Sequence, residues 1–142
     1  ISGSDDNTLK LWNLETGDNE RTFHGHSRSV NTVALTPDGK QVISGSDDNT
    51  LKLWNLETGD NERTFHGHSR SVNAVAVTPD GKQVISGSWD NTLKLWNLET
   101  GEEIATFTGE APFFCCPVAA DRVTIVAGEL SGRVHFLRLE NL

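Results

Sequence analysis

The chain is expected to be all-β, a segment of a β-propeller built from four-stranded antiparallel blades. Two observations carry this. Residues 1–42 and 43–84 are identical except at two positions, Thr32 against Ala74 and Leu35 against Val77, so the chain repeats with a period of 42. A repeat of roughly 40–45 residues made of several short strands is a propeller blade rather than a unit of a helical solenoid. Within each period, short strand-like runs alternate with turn-forming clusters, and no stretch keeps a helical spacing of apolar residues long enough to compete.

The strands follow in order along one period. SVNTVAL and QVISGS flank Pro37-Asp38-Gly39, a turn-forming run that reads as a hairpin. QVISGS and TLKLWNL flank a second polar turn, Asp47-Asp48-Asn49. Glu57-Thr58-Gly59-Asp60 then separates TLKLWNL from ERTFHG, which completes four strands. A third copy starts at Ile85 and stays close as far as Gly101, with Trp89 where Asp5 and Asp47 stood before. Beyond Gly101 the pattern drifts through EEIATFTGEAPFFCCPVAADRVT and closes with IVAGELSGRVHFLRLENL.

Composition narrows the partners. Twelve basic against 20 acidic residues give a net charge of −8. Nucleic acid and anionic membrane surfaces both need a basic face, so neither is expected as the main partner. No apolar run approaches the roughly 18 residues of a membrane-spanning helix, and no signal-peptide core is visible. The chain begins at Ile1 without a Met, inside a repeat, which suggests an incomplete native chain. The two cysteines, Cys115 and Cys116, are neighbours. Adjacent strand residues point to opposite faces, so two free thiols are expected rather than a disulfide, in keeping with a reducing cytoplasmic setting. No CxxC or Cys-His spacing supports a metal or reactive thiol.

The motifs resemble those of the WD40-repeat family, essentially along the whole chain. They are Gly25-His26 and Gly67-His68, and the dipeptides Trp12-Asn13, Trp54-Asn55 and Trp96-Asn97 in place of the family's Trp-Asp. Spacing agrees: His26 to Ser44 is 18 residues, Ser44 to Asp48 four, and Asp48 to Trp54 six. Laid onto the family's repeat, residues 1–18 supply a partial blade, strands b and c. Fuller WD40 blades follow at about 19–60 and 61–102, and a degenerate C-terminal blade at 103–142. That makes about three and a half blades, where the family's rings usually have more. An open arc leaves two apolar blade faces wet, so missing sequence or further chains would close the ring.

The resemblance also implies a hydrogen-bonded tetrad in each regular blade: His26, Ser44, Asp48 and Trp54, then His68, Ser86, Asp90 and Trp96. A Ser-His-Asp trio invites a hydrolase reading. Catalysis needs one site, whereas this trio recurs in register, and no Gly-x-Ser-x-Gly elbow accompanies it. A structural network is therefore expected, and no enzyme. His24-Gly25-His26 and His66-Gly67-His68 could suggest zinc, but no third ligand sits at a fixed offset. Asp5-Asp6 and Asp47-Asp48 are too short for a calcium loop of about 12 residues, and SGS is not a phosphate cradle. No cofactor or metal is expected. In the last repeat Glu110, Ala127, Ser131 and Leu137 take the tetrad positions, so packing by Phe114, Val118, Val126, Phe136 and Leu137 is expected to replace the network.

Three positions per blade face the partner-binding end of the family's ring: the residue before the tetrad Asp, and those three and five past the tetrad His. They correspond to Asp5; to Asp47, Ser29 and Asn31; to Trp89, Ser71 and Asn73; and in the last blade to Leu130, Phe113 and Cys115. The face thus runs from small polar groups to apolar ones. The expected function is a non-enzymatic scaffold binding a protein or peptide there. The clean tandem repeats resemble the C-terminal propellers of bacterial, notably cyanobacterial, multi-domain signalling proteins, which would make the segment a sensor. The alternative is a self-assembling module whose blades close a ring between chains.

Overall fold

The computed structural model describes residues 1–119, 121 and 123–140. Among the described residues, fourteen strands form four antiparallel sheets. The first holds β1 (Ser2–Gly3), β2 (Leu9–Trp12) and β3 (Asn19–Phe23). The second holds β4 (Val30–Leu35), β5 (Gln41–Ser46), β6 (Leu51–Asn55) and β7 (Asn61–Phe65). The third repeats it with β8 (Val72–Val77), β9 (Gln83–Ser88), β10 (Thr92–Asn97) and β11 (Glu103–Thr108). The fourth holds β12 (Phe113–Cys115), β13 (Thr124–Glu129) and β14 (Val134–Arg138). This is a partial β-propeller of about three and a half blades.

Sheets and sequence repeats are offset by one strand. β3, which opens the repeat 19–60, pairs with β2 of the residues before it, and β7 likewise closes the second sheet. Each repeat therefore ties two blades together. β4 runs beside β8, and β8 beside β12, so the first strands of successive four-stranded blades are neighbours.

Local chemistry explains the turns. Between β5 and β6, Asn49 takes φ of 72°, a left-handed conformation that Asn tolerates better than most residues. Asp48 Oδ1 accepts the Thr50 amide at 3.0 Å and its hydroxyl at 2.6 Å, closing the turn. In the preceding hairpin Asp38 accepts from the Lys40 amide at 3.0 Å and Thr36 Oγ1 at 2.6 Å, beside Gly39 at φ 70°.

Blades pack face to face. Leu9 and Phe23 of the first sheet meet Val30, Val42 and Trp54 of the second. The Phe23 and Trp54 rings stand edge to face at 5.9 Å, and Phe65 with Trp96 repeats the arrangement at 5.9 Å. Polar clasps run across the same seams. Arg21 donates to Glu57 O and Thr58 O at 2.7 and 2.8 Å, and Arg63 donates to Thr100 O at 2.8 Å. β5 and β9 lie under a neighbour on both sides, which is why five of six residues in QVISGS are buried rather than every second one.

Gly45 shows how close the blades come. A Cβ placed there would lie 2.6 Å from Val72 Cγ1 and 2.8 Å from Thr32 Cγ2. Overpacking of this kind costs about 1–3 kcal/mol, so Gly45→Ala should lower the urea midpoint accordingly, without a change in slope.

Candidate binding face

The residues that position the face form two buried networks. In the second blade Trp54 Nε1 donates to Ser44 Oγ at 2.8 Å, Ser44 Oγ lies 2.7 Å from His26 Nε2, and His26 Nδ1 lies 2.7 Å from Asp48 Oδ2. Trp96, Ser86, His68 and Asp90 repeat this at 2.8, 2.7 and 2.8 Å. Burial pushes the Asp48 carboxyl up, but hydrogen bonds from Thr50 and His26 outweigh it and bring the group to about 2. Burial holds His26 and His68 below their ordinary 6.5 despite the carboxylates beside them. The consistent proton arrangement is therefore an ionised Asp, a neutral imidazole donating through Nδ1, and a Ser hydroxyl donating to Nε2 while accepting the indole.

This arrangement disposes of two chemical readings at these trios. Ser44 and Ser86 expose no surface, so no substrate carbonyl reaches their oxygens. Both ring nitrogens of His26 are taken by Ser44 and Asp48, which leaves no lone pair to share a metal with exposed His24. The cysteines diverge at the end of β12. Cys115 is exposed, Cys116 is buried with its thiol pushed up to about 12, and both are free.

Each network fixes a turn whose other residues face solvent. A bulge near the start of the first strand, between Val30 and Thr32 or between Val72 and Ala74, turns Asn31 and Asn73 toward that end. The amides of Asp47 and Trp89 bond back to Ser29 O and Ser71 O, both at 3.0 Å. Asp5 is exposed, Asp47, Ser29, Ser71 and Asn73 are half-buried, and Asn31 is exposed. Asn31 Nδ2 donates to Asp47 Oδ1 at 2.7 Å and to Val72 O at 3.2 Å. Trp89 is 39% exposed.

The last blade corrects the sequence reading. Phe113 pairs with Glu129 as Val30 pairs with Ser46, and Leu130 N bonds to Pro112 O at 2.8 Å as Asp47 N bonds to Ser29 O. One residue is missing between Glu110 and Pro112 relative to the earlier blades, so counting forward from Glu110 slips by one. A one-residue slip exchanges the two faces of a strand. Phe113 is therefore fully buried in the core, Cys115 sits at the register of Thr32 and Ala74, and the outward bulge residue is Phe114. Only the spacing carried a signal: His26 to Asp47 is 21 residues and Glu110 to Leu130 is 20. Phe114, 42% exposed, meets Trp89 edge to face at 5.3 Å, with Leu130 exposed on the same blade.

The expected all-apolar substitute for the tetrad is also wrong. Phe114 and Phe136 are exposed, and Val118, Val126 and Leu137 only half-buried. A different polar network stands in. Glu129, buried at the register of Ser46, accepts from Ser131 Oγ at 2.8 Å, the Glu110 amide at 3.1 Å and His135 Nε2 at 2.9 Å. The Ser131 hydroxyl first, then His135, keeps its carboxyl below the ordinary range. His135 meets Phe107 edge to face at 5.2 Å and lies tilted against Phe113 at 5.7 Å.

The description "WD domain, G-beta repeat" matches residues 1–13, 17–55 and 59–97, more than half of the chain. The chain belongs to the WD40-repeat family. A guanine nucleotide-binding protein subunit beta from Solanum tuberosum is 48% identical over 42 residues, 29% of this chain and 11% of its own length. The Arabidopsis thaliana subunit is 52% identical over 40 residues, 28% and 11%. A lissencephaly-1 homolog from Caenorhabditis briggsae is 46% identical over 41 residues, 29% and 10%. Each match is about one repeat long and covers about a tenth of the relative.

Proton linkage tests the WD40 networks. A base held below 6.5 when folded takes up protons first in the unfolded chain, so its contribution is present above pH 6.5 and lost on acidification. Asp48 acts in the same sense lower down, between 3.8 and about 2. The melting temperature should be flat near pH 7.5, fall as pH drops below 6.5, and fall again below 4. Ser44→Ala should cost about 1–3 kcal/mol by stranding the indole N–H and the imidazole.

Proposed function

We propose that this segment is a non-enzymatic interaction module that docks a protein or peptide on the end of the blades carrying Trp89. The exposed Trp89–Phe114 pair supports the reading most directly. Position 89 is acidic in the two preceding copies, and the change brings a large aromatic to solvent where the tetrad already satisfies the turn. Exposed aromatics backed by a rigid scaffold are the usual anchors of protein interfaces. The family and the relatives named above support a scaffold role in the same direction. A cytoplasmic location and a sensor role beside a bacterial signalling module belong to this proposal as well, and subcellular fractionation of the native protein with identification of the proteins it co-purifies with tests them.

A second reading is self-association. Leu14, in the turn after β2, and Val134 and Phe136 on β14 are well exposed, at 96%, 57% and 74%. Native mass spectrometry at low concentration separates the two, since a defined homo-oligomer favours self-association. For the leading reading, Trp89→Asp should weaken partner binding by about tenfold or more while leaving thermal stability nearly unchanged. A collapse of stability would mean that Trp89 is packing.

A further inference from the structure

We infer that the docking face prefers an acidic partner segment, one that places a carboxylate next to an apolar side chain between the second and third blades. The inference deepens the docking reading and rests on it. Its starting point is what the Asp-to-Trp change does to the residues around it. In the second blade Arg28 shares its end of the blade with the Asp47 carboxylate, and Asp47 also holds Asn31. In the third blade Arg70 occupies the place of Arg28, but its turn carries Trp89 instead of an acid.

Three consequences are visible. Asn73 loses the carboxylate partner that Asn31 has, and its amide keeps only a 3.4 Å contact to Phe113 O. Asp90, the nearest acid in sequence, is committed to His68, the Ser69 amide and Thr92. Arg70 is exposed, and its guanidinium makes no hydrogen bond or ion pair among the described residues. The outer Arg21 and Arg63, by contrast, are spent on the Thr58 and Thr100 carbonyls.

Arg28, Asp47, Asn49, Arg70, Ser71 and Trp89 line one groove between these blades. Trp89 forms part of that groove and touches Phe114 of the next blade, at 5.3 Å. The groove therefore sets two guanidiniums, Arg28 and Arg70, against the single Asp47 carboxylate, beside an aromatic platform. A guanidinium recognises a carboxylate through two parallel N–H donors, which adds geometric selection to charge. The platform takes the apolar neighbour. The overall charge of −8 repels acidic chains at long range. Recognition is therefore a short-range matter within roughly the 10 Å screening length of moderate salt, and it selects for fit rather than for bulk charge.

The test uses the 142-residue chain and three blocked octapeptides sharing one apolar pattern, with Glu, Gln or Lys at the same positions. Binding is followed by fluorescence anisotropy. The Glu peptide should bind at least about tenfold more tightly than the Gln peptide, and the Lys peptide least. Arg70→Glu should remove that preference while leaving the melting temperature unchanged, and Arg70→Lys should restore only part of it. If the Glu and Gln peptides bind equally and Trp89→Asp abolishes both, the acidic preference is overturned while the docking face stands. If neither peptide responds to Trp89→Asp, both are overturned. Arg70-dependent binding of single-stranded RNA without binding of the Glu peptide also overturns the inference, in favour of a polyanion site.

Discussion

Much of the structure follows from covering the middle strand of a blade on both sides. A strand buried that way cannot leave a hydroxyl unsatisfied, and Ser44 and Ser86 are fully enclosed. The indole, the imidazole and the carboxylate are arranged to satisfy that oxygen and one another. Once they are, the Asp closes the hairpin turn between β5 and β6, or between β9 and β10, and the Trp ring is set against the Phe of the preceding blade. One network thus joins turn geometry to blade packing. Repeating it in register gives two seams with the same aromatic spacing.

A scaffold fixed in this way leaves adjacent residues with different obligations. Asp48 is held by four donors, from Thr50, His26 and the Ser27 amide. The Asp47 carboxylate, one residue earlier, accepts only from the Asn31 amide among the described residues. Position 89 repeats position 47, so a Trp could appear there while Asp90 kept the turn intact. Exposed aromatic surface and uncommitted arginines accumulate where the fold asks least of the side chain.

The regular blades were legible in the sequence because register converts spacing into contact. His26, Ser44, Asp48 and Trp54 meet for the same reason that they sit 18, four and six residues apart. The offset between repeat and sheet was not legible, since the strand from Asn19 to Phe23 reads the same whichever neighbour it pairs with. The last blade was misread for two physical causes. A single missing residue inverted the faces of its first strand, hiding Phe113 and presenting Phe114. Glu129 and His135, ordinary surface residues by type, sit at the registers of Ser46 and Lys52 and pair in the interior, a contact no motif announces.

The central claim is that scaffold and face are divided residue by residue within one turn. Equilibrium urea unfolding of two neighbouring variants, Asp48→Asn and Asp47→Trp, addresses it directly. The account predicts that Asp48→Asn loses more than about 1 kcal/mol, whereas Asp47→Trp stays within about 0.5 kcal/mol of the parent chain. Equal losses at the two positions would contradict it, because the turn would then have no residue to spare for a partner.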